Sequence, residues 1–263
     1  MTPSISSANN PKLKQLRKLA QARGRAATGL FAAEGEDLVR AAQAVGREPV
    51  YGLCAAPEGL PGFEEVAPEL LAGVSALGSG TRAIGVYEQR LGPALGPLCV
   101  YLHGVKDPGN VGAVLRSALA FGASSVALGP DCADPHSPKA VRASMGAIFA
   151  VALARVASIQ ELPGLRVALR AHAGEPLDSL AADGHEGDIT LLVGAERDGL
   201  PEELVAGCDR VAHIPIASES LNAAMAATVA LYEMTRRTGL GEEGPGSSAS
   251  GRLRHPLGRV PKS

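Results

Sequence analysis

The segment VKDPGNVGAVLRSALAFGA (residues 105–123) decides the fold, because it passes from the end of a strand into a helix within a few residues. The apolar run LCVYLHGV (98–105) before it predicts a buried strand. Asn110 is expected to cap the helix that follows, whose apolar side chains recur at helical spacing: Val111, Val114, Leu115, Ala118 and Leu119. Arg116 flanks this stripe, and helical side chains lean toward the N-terminus. The segment therefore predicts either a cation at the mouth of a sheet, ready for an anion, or an ordinary ion pair with a neighbouring helix.

Further apolar runs along the second half of the chain predict a parallel sheet. They are SSVALG (124–129), LRVALRAH (165–172), DITLLVG (188–194) and RVAHIPI (210–216). Helical or loop stretches separate most of these runs, which is typical of buried parallel strands joined by crossover helices. The predicted fold class is therefore α/β. The final helix, SLNAAMAATVALYEMTRR (220–237), is apolar almost all round and is expected to be mostly buried.

The N-terminal part of the chain predicts a smaller α/β domain. A basic helix over residues 9–23 is followed by a strand, a turn at Glu34-Gly35, a helix that ends at Gly46, and further strands that close near residue 88. The linker LGPALGP (91–97) contains two Gly-Pro pairs, which stop both helix and strand. We therefore expect one domain over 1–91, a second over 98–237, and a disordered tail, rich in Gly, Ser and Pro, over 238–263.

Positive charge is concentrated near the N-terminus. The 263 residues carry a formal net charge of −2, which excludes a uniformly basic nucleic-acid binder. The first 25 residues nevertheless contain six Lys and Arg side chains and no Asp or Glu. A basic helix of this kind is often simply solvated, but it also suits contacts with RNA phosphates. The candidates for such contacts are Lys12, Lys14, Arg17, Lys18 and Arg25.

Several function classes lack their sequence signals. No Walker A motif occurs, and GSGTRA (78–83) precedes a strand where a dinucleotide fingerprint follows one, which argues against a nucleotide-dependent oxidoreductase. Cys132 and His136 have no nearby complement, so no metal is expected, and no nucleophile-elbow sequence indicates a hydrolase. No apolar stretch reaches the roughly 20 residues of a membrane span, so a soluble, cytoplasmic protein is expected.

Polar loops follow three of the predicted strands. They are residues 106–110, LLVGAERDGLP (191–201) and HIPIASESLN (213–222). Gly194 permits a close backbone approach, and Glu196 offers a hydrogen-bond acceptor. Ser220 and Asn222 stand at the N-terminal end of the final helix, which favours negative charge. Each loop alone is more simply a turn or a helix cap, but ligands bind at the carboxyl ends of strands in open α/β sheets, so the three together predict a binding site.

The three loops, in this order and spacing, resemble the signature motifs of the SPOUT superfamily, in particular the SpoU or TrmH family of RNA ribose methyltransferases. The matching stretches are DPGNVGAVLRSALAFGA (107–123), LLVGAERDGLP (191–201) and IPIASESLNAAMAATVALYE (214–233). The stretches ISSANNPKLKQLRKL (5–19) and GLFAAEGEDLVRAA (29–42) resemble the family's substrate-binding domain, which is related to small ribosomal RNA-binding proteins. The resemblance covers residues 1–237 and not the tail.

This resemblance implies a C-terminal domain tied in a trefoil knot, a small N-terminal RNA-binding domain, and a homodimer packed through the knotted domains. It implies that S-adenosylmethionine binds against Gly194, Ile214 and Leu221. The residues that it implies at the catalytic centre are Arg116, Asn110, Glu196, Ser220 and Asn222. Because a guanidinium does not readily give up its proton, we expect Arg116 to stabilise the emerging alkoxide of a ribose 2'-hydroxyl rather than to act as a base.

The predicted function is therefore methyl transfer from S-adenosylmethionine to a ribose 2'-hydroxyl of RNA. Ribosomal RNA is favoured by analogy with the family's N-terminal domain. Two alternatives stay open, namely transfer RNA as the substrate, and a noncatalytic RNA-binding or ribosome-assembly protein with the same fold. Affinity for S-adenosylmethionine separates the noncatalytic alternative from an enzyme.

Overall fold

The structure is a computed structural model that describes residues 5–56, 60–76, 80–182, 185, 187–195 and 197–236. Glu196 and the predicted tail over 238–263 lie outside the described residues. Two sheets follow one another along the chain, and the segment 89–97 joins them. The predicted α/β class is confirmed.

The N-terminal sheet has four strands in the order β1-β4-β2-β3. The strands are β1 (Leu30–Glu34), β2 (Tyr51–Cys54), β3 (Phe63–Glu65) and β4 (Ala83–Glu88). The helices are α1 (Pro11–Leu19), α2 (Ala22–Thr28), α3 (Glu36–Ala44) and α4 (Pro68–Ala72). The single basic helix predicted over 9–23 is therefore wrong, because the chain turns between α1 and α2. Gly24 allows this turn, since a Cβ at that position would collide with the carbonyl of Lys18.

The second sheet has seven parallel strands in the order β7-β6-β5-β10-β8-β11-β9. The five predicted strands are β5 (Leu98–Leu102), β6 (Ser125–Leu128), β8 (Leu165–Leu169), β10 (Ile189–Val193) and β11 (Arg210–His213). Two short strands at the edges were not predicted, β7 (Ala152–Arg155) and β9 (Glu175–Pro176). The apolar run over residues 147–154 contains both helix α7 and most of β7, so periodicity does not separate the strand from the helix, and β9 has only two residues.

Helices cover this parallel sheet and connect its strands. They are α5 (Pro108–Ala120), α6 (Pro138–Ala143), α7 (Ala147–Ala150), α8 (Leu177–Ala182), α9 (Glu202–Ala206) and α10 (Ala223–Arg236). Strands β5 and β10 are neighbours in register, with Leu102 opposite Val193, so the loops after them leave the sheet side by side. Among the described helices, none combines the length and the apolar character that crossing a bilayer requires.

Helix α10 is less buried than its composition predicts. Its Ala227, Ala230 and Leu231 are fully buried, but Met225, Val229 and Tyr232 are 62%, 40% and 53% exposed. These three residues are spaced four and three positions apart, so they form one apolar stripe along the helix. The expectation that α10 is mostly buried holds for the face through which the helix packs, whereas this stripe is exposed.

The N-terminal sheet has a buried cluster of its own and shares a second one with the seven-stranded sheet. Phe31 of β1 and Tyr87 of β4 belong to the same buried cluster as residues of the seven-stranded sheet. The ring of Phe149 lies 5.8 Å from that of Phe31 and 4.7 Å from that of Tyr87, measured between centroids. The N-terminal sheet is thus docked through an apolar face. The domain limits 1–91 and 98–237 and the trefoil knot stay predictions.

Candidate active site

The loop after β5 is held by Asp107, which caps helix α5. Its Oδ1 accepts hydrogen bonds from the backbone N–H groups of Gly109 (2.5 Å) and Asn110 (3.1 Å), and Pro108 occupies the first helical position. The expectation that Asn110 caps the helix is therefore wrong. Asp107 thus satisfies the backbone donors at the start of the helix, a task for which the side chain of Asn110 is not needed.

Asn110 and Asn222 join two of the predicted loops. Nδ2 of Asn222 donates to Oδ1 of Asn110 over 3.2 Å. Oδ1 of Asn222 accepts from the backbone N–H groups of Ala224 (2.9 Å) and Met225 (3.3 Å), so Asn222 also holds the start of helix α10. The structure thus brings together two residues 112 positions apart that sequence reasoning placed in one site.

The loop after β10 folds back on itself. The N–H of Gly199 donates to the carbonyl of Ala195 over 2.9 Å, and Gly199 has a φ of +64°. A Cβ at Gly194 would collide with the carbonyl group of Gly199, so only glycine allows the two sides of the loop to lie this close. Glu196, predicted at the catalytic centre, lies outside the described residues.

A cleft of about 400 Å³ opens between this loop, the end of β8 and the loop after β11. Gly194, Ile214, Ser220 and Leu221 all line it, so the structure brings together the three predicted cofactor contacts and one predicted catalytic residue. Apolar side chains make up one part of the lining, namely Leu169, Val193, Leu200, Ile214 and Leu221. Charged side chains make up another part, namely Arg170, Arg197, Asp198 and Glu219.

Arg116 is exposed on helix α5. Among the described residues it has no hydrogen bond or ion pair. Its neighbour Ser117 is hydrogen-bonded to Thr228 of α10 over 2.6 Å, which orients α5 so that Arg116, about 100° further round the helix, faces solvent. Arg116 follows Asn110 by six residues, or about 9 Å along the helix axis, and its long side chain can lean back over that distance.

Four of the predicted RNA contacts lie on α1. Lys14, Arg17 and Lys18 are exposed, and Arg17 donates to the backbone carbonyl of Ala8 (3.1 Å). Lys12 is ion-paired with Glu64. Leu13, Leu16 and Leu19 bury the opposite face of the helix, so α1 presents its cations to solvent.

Arg25 is not part of this exposed surface. It is 4% exposed, and it forms an ion pair with Asp134 in which its Nε and Nη2 both lie 2.7 Å from Oδ2. Its Nη1 donates to the carbonyl of Leu19 over 2.8 Å. Because protein acceptors occupy all three nitrogens, the structure contradicts the predicted contact of Arg25 with RNA phosphate. The residue instead ties helix α2 to the seven-stranded sheet.

Sequence reasoning missed Asp107 and Lys139 at this site. Nζ of Lys139 lies 2.7 Å from Oδ2 of Asp107, and this hydrogen bond is the main cause that lowers the pKa of that carboxyl group. The dipeptide Asp107-Pro108 carried a usable signal, since an acidic residue before Pro commonly begins a helix. Lys139 carried none. Over the described residues no group of three His, Cys, Asp or Glu side chains is placed to hold a metal ion.

Family models match both parts of the chain. Residues 97–232 match the model of the SpoU rRNA Methylase family. The chain belongs to the SpoU rRNA methylase family. Residues 10–87 match the model of the MRM3-like substrate binding domain. The resemblance seen in the motifs is thereby confirmed.

Curated relatives of this SpoU family member include two ribosomal RNA methyltransferases. A 23S rRNA (uridine(2479)-2'-O)-methyltransferase of Streptomyces viridochromogenes is 36% identical over 185 residues, which cover 66% of this chain and 62% of that protein. The 23S rRNA (guanosine-2'-O-)-methyltransferase RlmB of Xylella fastidiosa strain Temecula1 is 38% identical over 148 residues, or 53% of this chain and 59% of that protein. The chain thus spans about three fifths of each of these two relatives.

A solved structure extends the likeness over almost the whole chain. The AdoMet-bound rRNA methyltransferase from Sinorhizobium meliloti superposes with a TM-score of 0.79 at 31% identity, and the match covers 89% of this chain and 97% of that one. Both sheets of the SpoU family member are therefore included in the match.

Proposed function

We propose that this SpoU family member transfers a methyl group from S-adenosylmethionine to a ribose 2'-hydroxyl of RNA. Ribosomal RNA is the favoured substrate. The observation that carries this proposal is the hydrogen bond between Asn110 and Asn222 beside the cleft that Gly194, Ile214 and Leu221 line. Three loops from three strands thus meet at the carboxyl edge of a parallel sheet, where α/β folds bind their ligands.

The cleft suits S-adenosylmethionine in shape and in chemistry. Its apolar wall at Ile214 and Leu221 fits the purine and the thioether part of the cofactor, while Arg197, Asp198 and Glu219 offer partners for its carboxylate and ammonium groups. The close approach at Gly194 leaves backbone rather than side chain facing the ligand. When bound, S-adenosylmethionine supplies a methyl group activated by a positive sulfonium. The AdoMet-bound relative from Sinorhizobium meliloti supports this cofactor.

Arg116 and the asparagine pair would act on the ribose. A ribose hydroxyl becomes a good nucleophile only as it loses its proton, so the group that must be stabilised is an alkoxide. The guanidinium of Arg116 has no partner in the described part of the chain, so it is available to that oxygen. Asn110 and Asn222, each held by the other, would orient the ribose. Glu196 and Ser220 stay candidates for positioning the same groups.

Ribosomal RNA is favoured over transfer RNA for two reasons. The two curated relatives named above act on 23S rRNA by their names, and the N-terminal part matches a substrate-binding domain. Exposed Lys14, Arg17 and Lys18 on α1 offer phosphate contacts there. Because the named relatives act on ribosomal RNA, we infer that this protein works in the cytoplasm.

The apolar stripe of α10 supports a homodimer. Met225, Val229 and Tyr232 are exposed, and the ring of Phe121, which follows α5, lies 6.0 Å from that of Tyr232; Leu119 of α5 is also 48% exposed. An exposed apolar patch of this kind commonly marks a protein interface. We infer that a second copy of the chain covers it. Sedimentation equilibrium should show a dimer for the wild type and a monomer for Val229→Glu. The control Met145→Glu, at another exposed apolar residue, should stay dimeric. A wild-type monomer would refute the inference.

The decisive experiment measures transfer of labelled methyl from S-adenosylmethionine to unmodified ribosomal RNA and to transfer RNA, followed by digestion to nucleosides and mass spectrometry. A 2'-O-methylnucleoside from ribosomal RNA is the expected result. The same product from transfer RNA alone would change the substrate class. No transfer and no binding of S-adenosylmethionine would leave a noncatalytic RNA-binding protein, and the proposed reaction would be wrong.

A further inference from the structure

Two adjoining clefts lie where the N-terminal sheet meets the seven-stranded sheet. The first, of about 320 Å³, is lined by Arg47, Arg90 and the apolar residues 148–153, which lead into β7. The second, of about 220 Å³, is lined by Arg25, Asp134 and Arg155. Both include Leu91 and His136 in their walls, so they lie side by side. We call the pair the seam clefts.

The seam clefts carry more positive charge than their acidic residues neutralise. Arg25 is paired with Asp134, whereas Arg47, Arg90 and Arg155 form no salt bridge with any described residue, although the charge of Glu88 acts on Arg47. Arg90 and Arg155 are exposed and have no hydrogen bond or ion pair among the described residues, whereas Arg47 donates to the backbone carbonyl of Glu88 (2.9 Å). In a chain of net charge −2, this concentration of cations marks a local site for an anion.

The charges of the seam clefts act on a common neighbour. The pKa of His136 is lowered to about 4, mainly by burial; the charge of Asp134 opposes this shift, and the positive charges of Arg25, Arg47 and Arg155 add to it. Three arginines therefore lie close enough to one buried ring to affect its titration. This supports the description of the seam clefts as one electropositive feature rather than scattered surface charges.

The seam clefts lead to the candidate active site. Arg155 ends β7 and is in register with Leu128 of β6, which is in register with Leu102 of β5. Neighbouring strands are about 4.8 Å apart, so Arg155 lies about 10 Å from the point where the loop carrying Asn110 begins. The N–H of Ala133 donates to the carbonyl of Val105 over 2.9 Å, which joins the loop that contains Asp134 and His136 to the active-site loop.

We propose that the seam clefts bind the phosphates of an unpaired RNA strand as it passes between the N-terminal sheet and the active site, with Arg90 and Arg155 as the main contacts. This inference rests on the proposed function, because it assigns a path to that substrate. Each cleft has a volume on the order of one nucleotide and is therefore too narrow for a duplex, which presents its phosphates on a wide, rigid surface. Leu91, which is 50% exposed, offers an apolar contact to an unstacked base.

The test compares the double variant Arg90→Ala/Arg155→Ala with the control Arg40→Ala/Arg82→Ala, each of which removes two exposed positive charges. Arg40 and Arg82 are 66% and 70% exposed in their side chains and do not line the seam clefts. Binding of poly(U) and of a poly(A)·poly(U) duplex is measured from low to high salt. Losing two contacts with a single strand should reduce the salt slope of poly(U) binding by about 1.4 and weaken binding about tenfold at low salt.

The seam variant should lose affinity for poly(U) more than for the duplex, and the control variant should lose little for either. With unmodified ribosomal RNA, KM should rise while kcat at saturating RNA and the Kd of S-adenosylmethionine stay at wild-type values. Equal losses in both variants, or unchanged poly(U) binding in the seam variant, would overturn the proposal. Binding of inorganic pyrophosphate is measured for the same variants. If the seam variant loses pyrophosphate binding while its RNA binding is unchanged, the clefts hold a small anion and the proposal is overturned.

These outcomes are separable from failure of the proposed function. If wild-type protein methylates no RNA, the proposed reaction fails, yet the poly(U) salt slopes still decide whether the seam clefts hold an RNA strand. If wild-type protein methylates RNA and the seam variant does so with an unchanged KM, the reaction stands and the RNA path is wrong.

Discussion

The arginines of helices α2 and α5 differ in exposure, and the difference is the opposite of what the surrounding sequence suggests. Arg25 belongs to the most basic stretch of the chain, yet it is 4% exposed and ion-paired. Arg116 flanks an apolar stripe, yet it is exposed and has no partner in the described structure. The difference teaches that local charge density does not decide which cation is free. Tertiary contacts decide it, because they supply Asp134 to Arg25 and, among the described residues, no acceptor to Arg116.

The largest expected effect comes from replacing Arg116, the exposed arginine of this comparison. Arg116→Ala should lower kcat about 100- to 1000-fold, the usual loss when a donor to a developing oxyanion is removed. The Kd of S-adenosylmethionine, measured by calorimetry, should not change. Arg142→Ala, which removes an exposed arginine of α6, is the matched control and should leave kcat near the wild-type value. If Arg116→Ala abolished cofactor binding as well, the arginine would be structural.

The next largest effect comes from replacing Arg25, the buried arginine. Arg25→Met should lower the free energy of unfolding by about 3 kcal/mol, because it leaves Asp134 without its partner at a site that is largely desolvated. Asp134 is 32% exposed in its side chain, which keeps the loss at the lower end of the range for buried pairs. Urea unfolding measures it. Arg23→Met, two residues earlier and exposed, should change stability by less than about 0.5 kcal/mol. Equal losses in the two variants would show that burial of Arg25 is unimportant.

A smaller effect concerns the histidine beside the buried pair. Burial lowers the pKa of His136 to about 4, below its usual value near 6.5, so the unfolded chain takes up a proton at higher pH than the folded protein does. The stability contributed by neutral His136 is therefore present above pH 6.5 and is lost as the pH falls toward 4. Between pH 7.5 and 5 the loss should be about 2 kcal/mol. Urea titrations of His136→Gln over the same pH range should show a clearly smaller change, and an identical change would exclude His136 as the cause.

The smallest effect on stability concerns the exposed face of α1. The triple variant Lys14→Ala/Arg17→Ala/Lys18→Ala should unfold within about 0.5 kcal/mol of wild type, since these side chains lack buried partners. Its binding of unmodified ribosomal RNA should nevertheless weaken, most at low salt, with a salt slope reduced by about 2. Filter binding over a range of potassium chloride concentrations measures both quantities. Unchanged RNA affinity would mean that α1 is merely solvated.

Sequence reasoning succeeded where a local pattern has one structural solution. The continuous apolar runs at Leu98–Leu102 and Ile189–Val193 predicted buried parallel strands, and these strands are neighbours in the sheet. The polar loops after β5 and β11 were also predicted to share a site, and Asn110 does meet Asn222. It failed at short edge strands such as Ala152–Arg155, because four residues carry too little periodicity to distinguish a strand from a loop.

The sequence by itself determined the α/β class, the central strands and the motifs that identify the SpoU family, because each depends on residues close together in the chain. Only the tertiary structure decided that Asp107 rather than Asn110 caps α5, that α10 exposes an apolar stripe, and that Arg25 is buried against Asp134. Each of these depends on which distant group lies nearby after folding. Burial and pairing are properties of neighbours, and the neighbours of these residues are set by how the two sheets pack together.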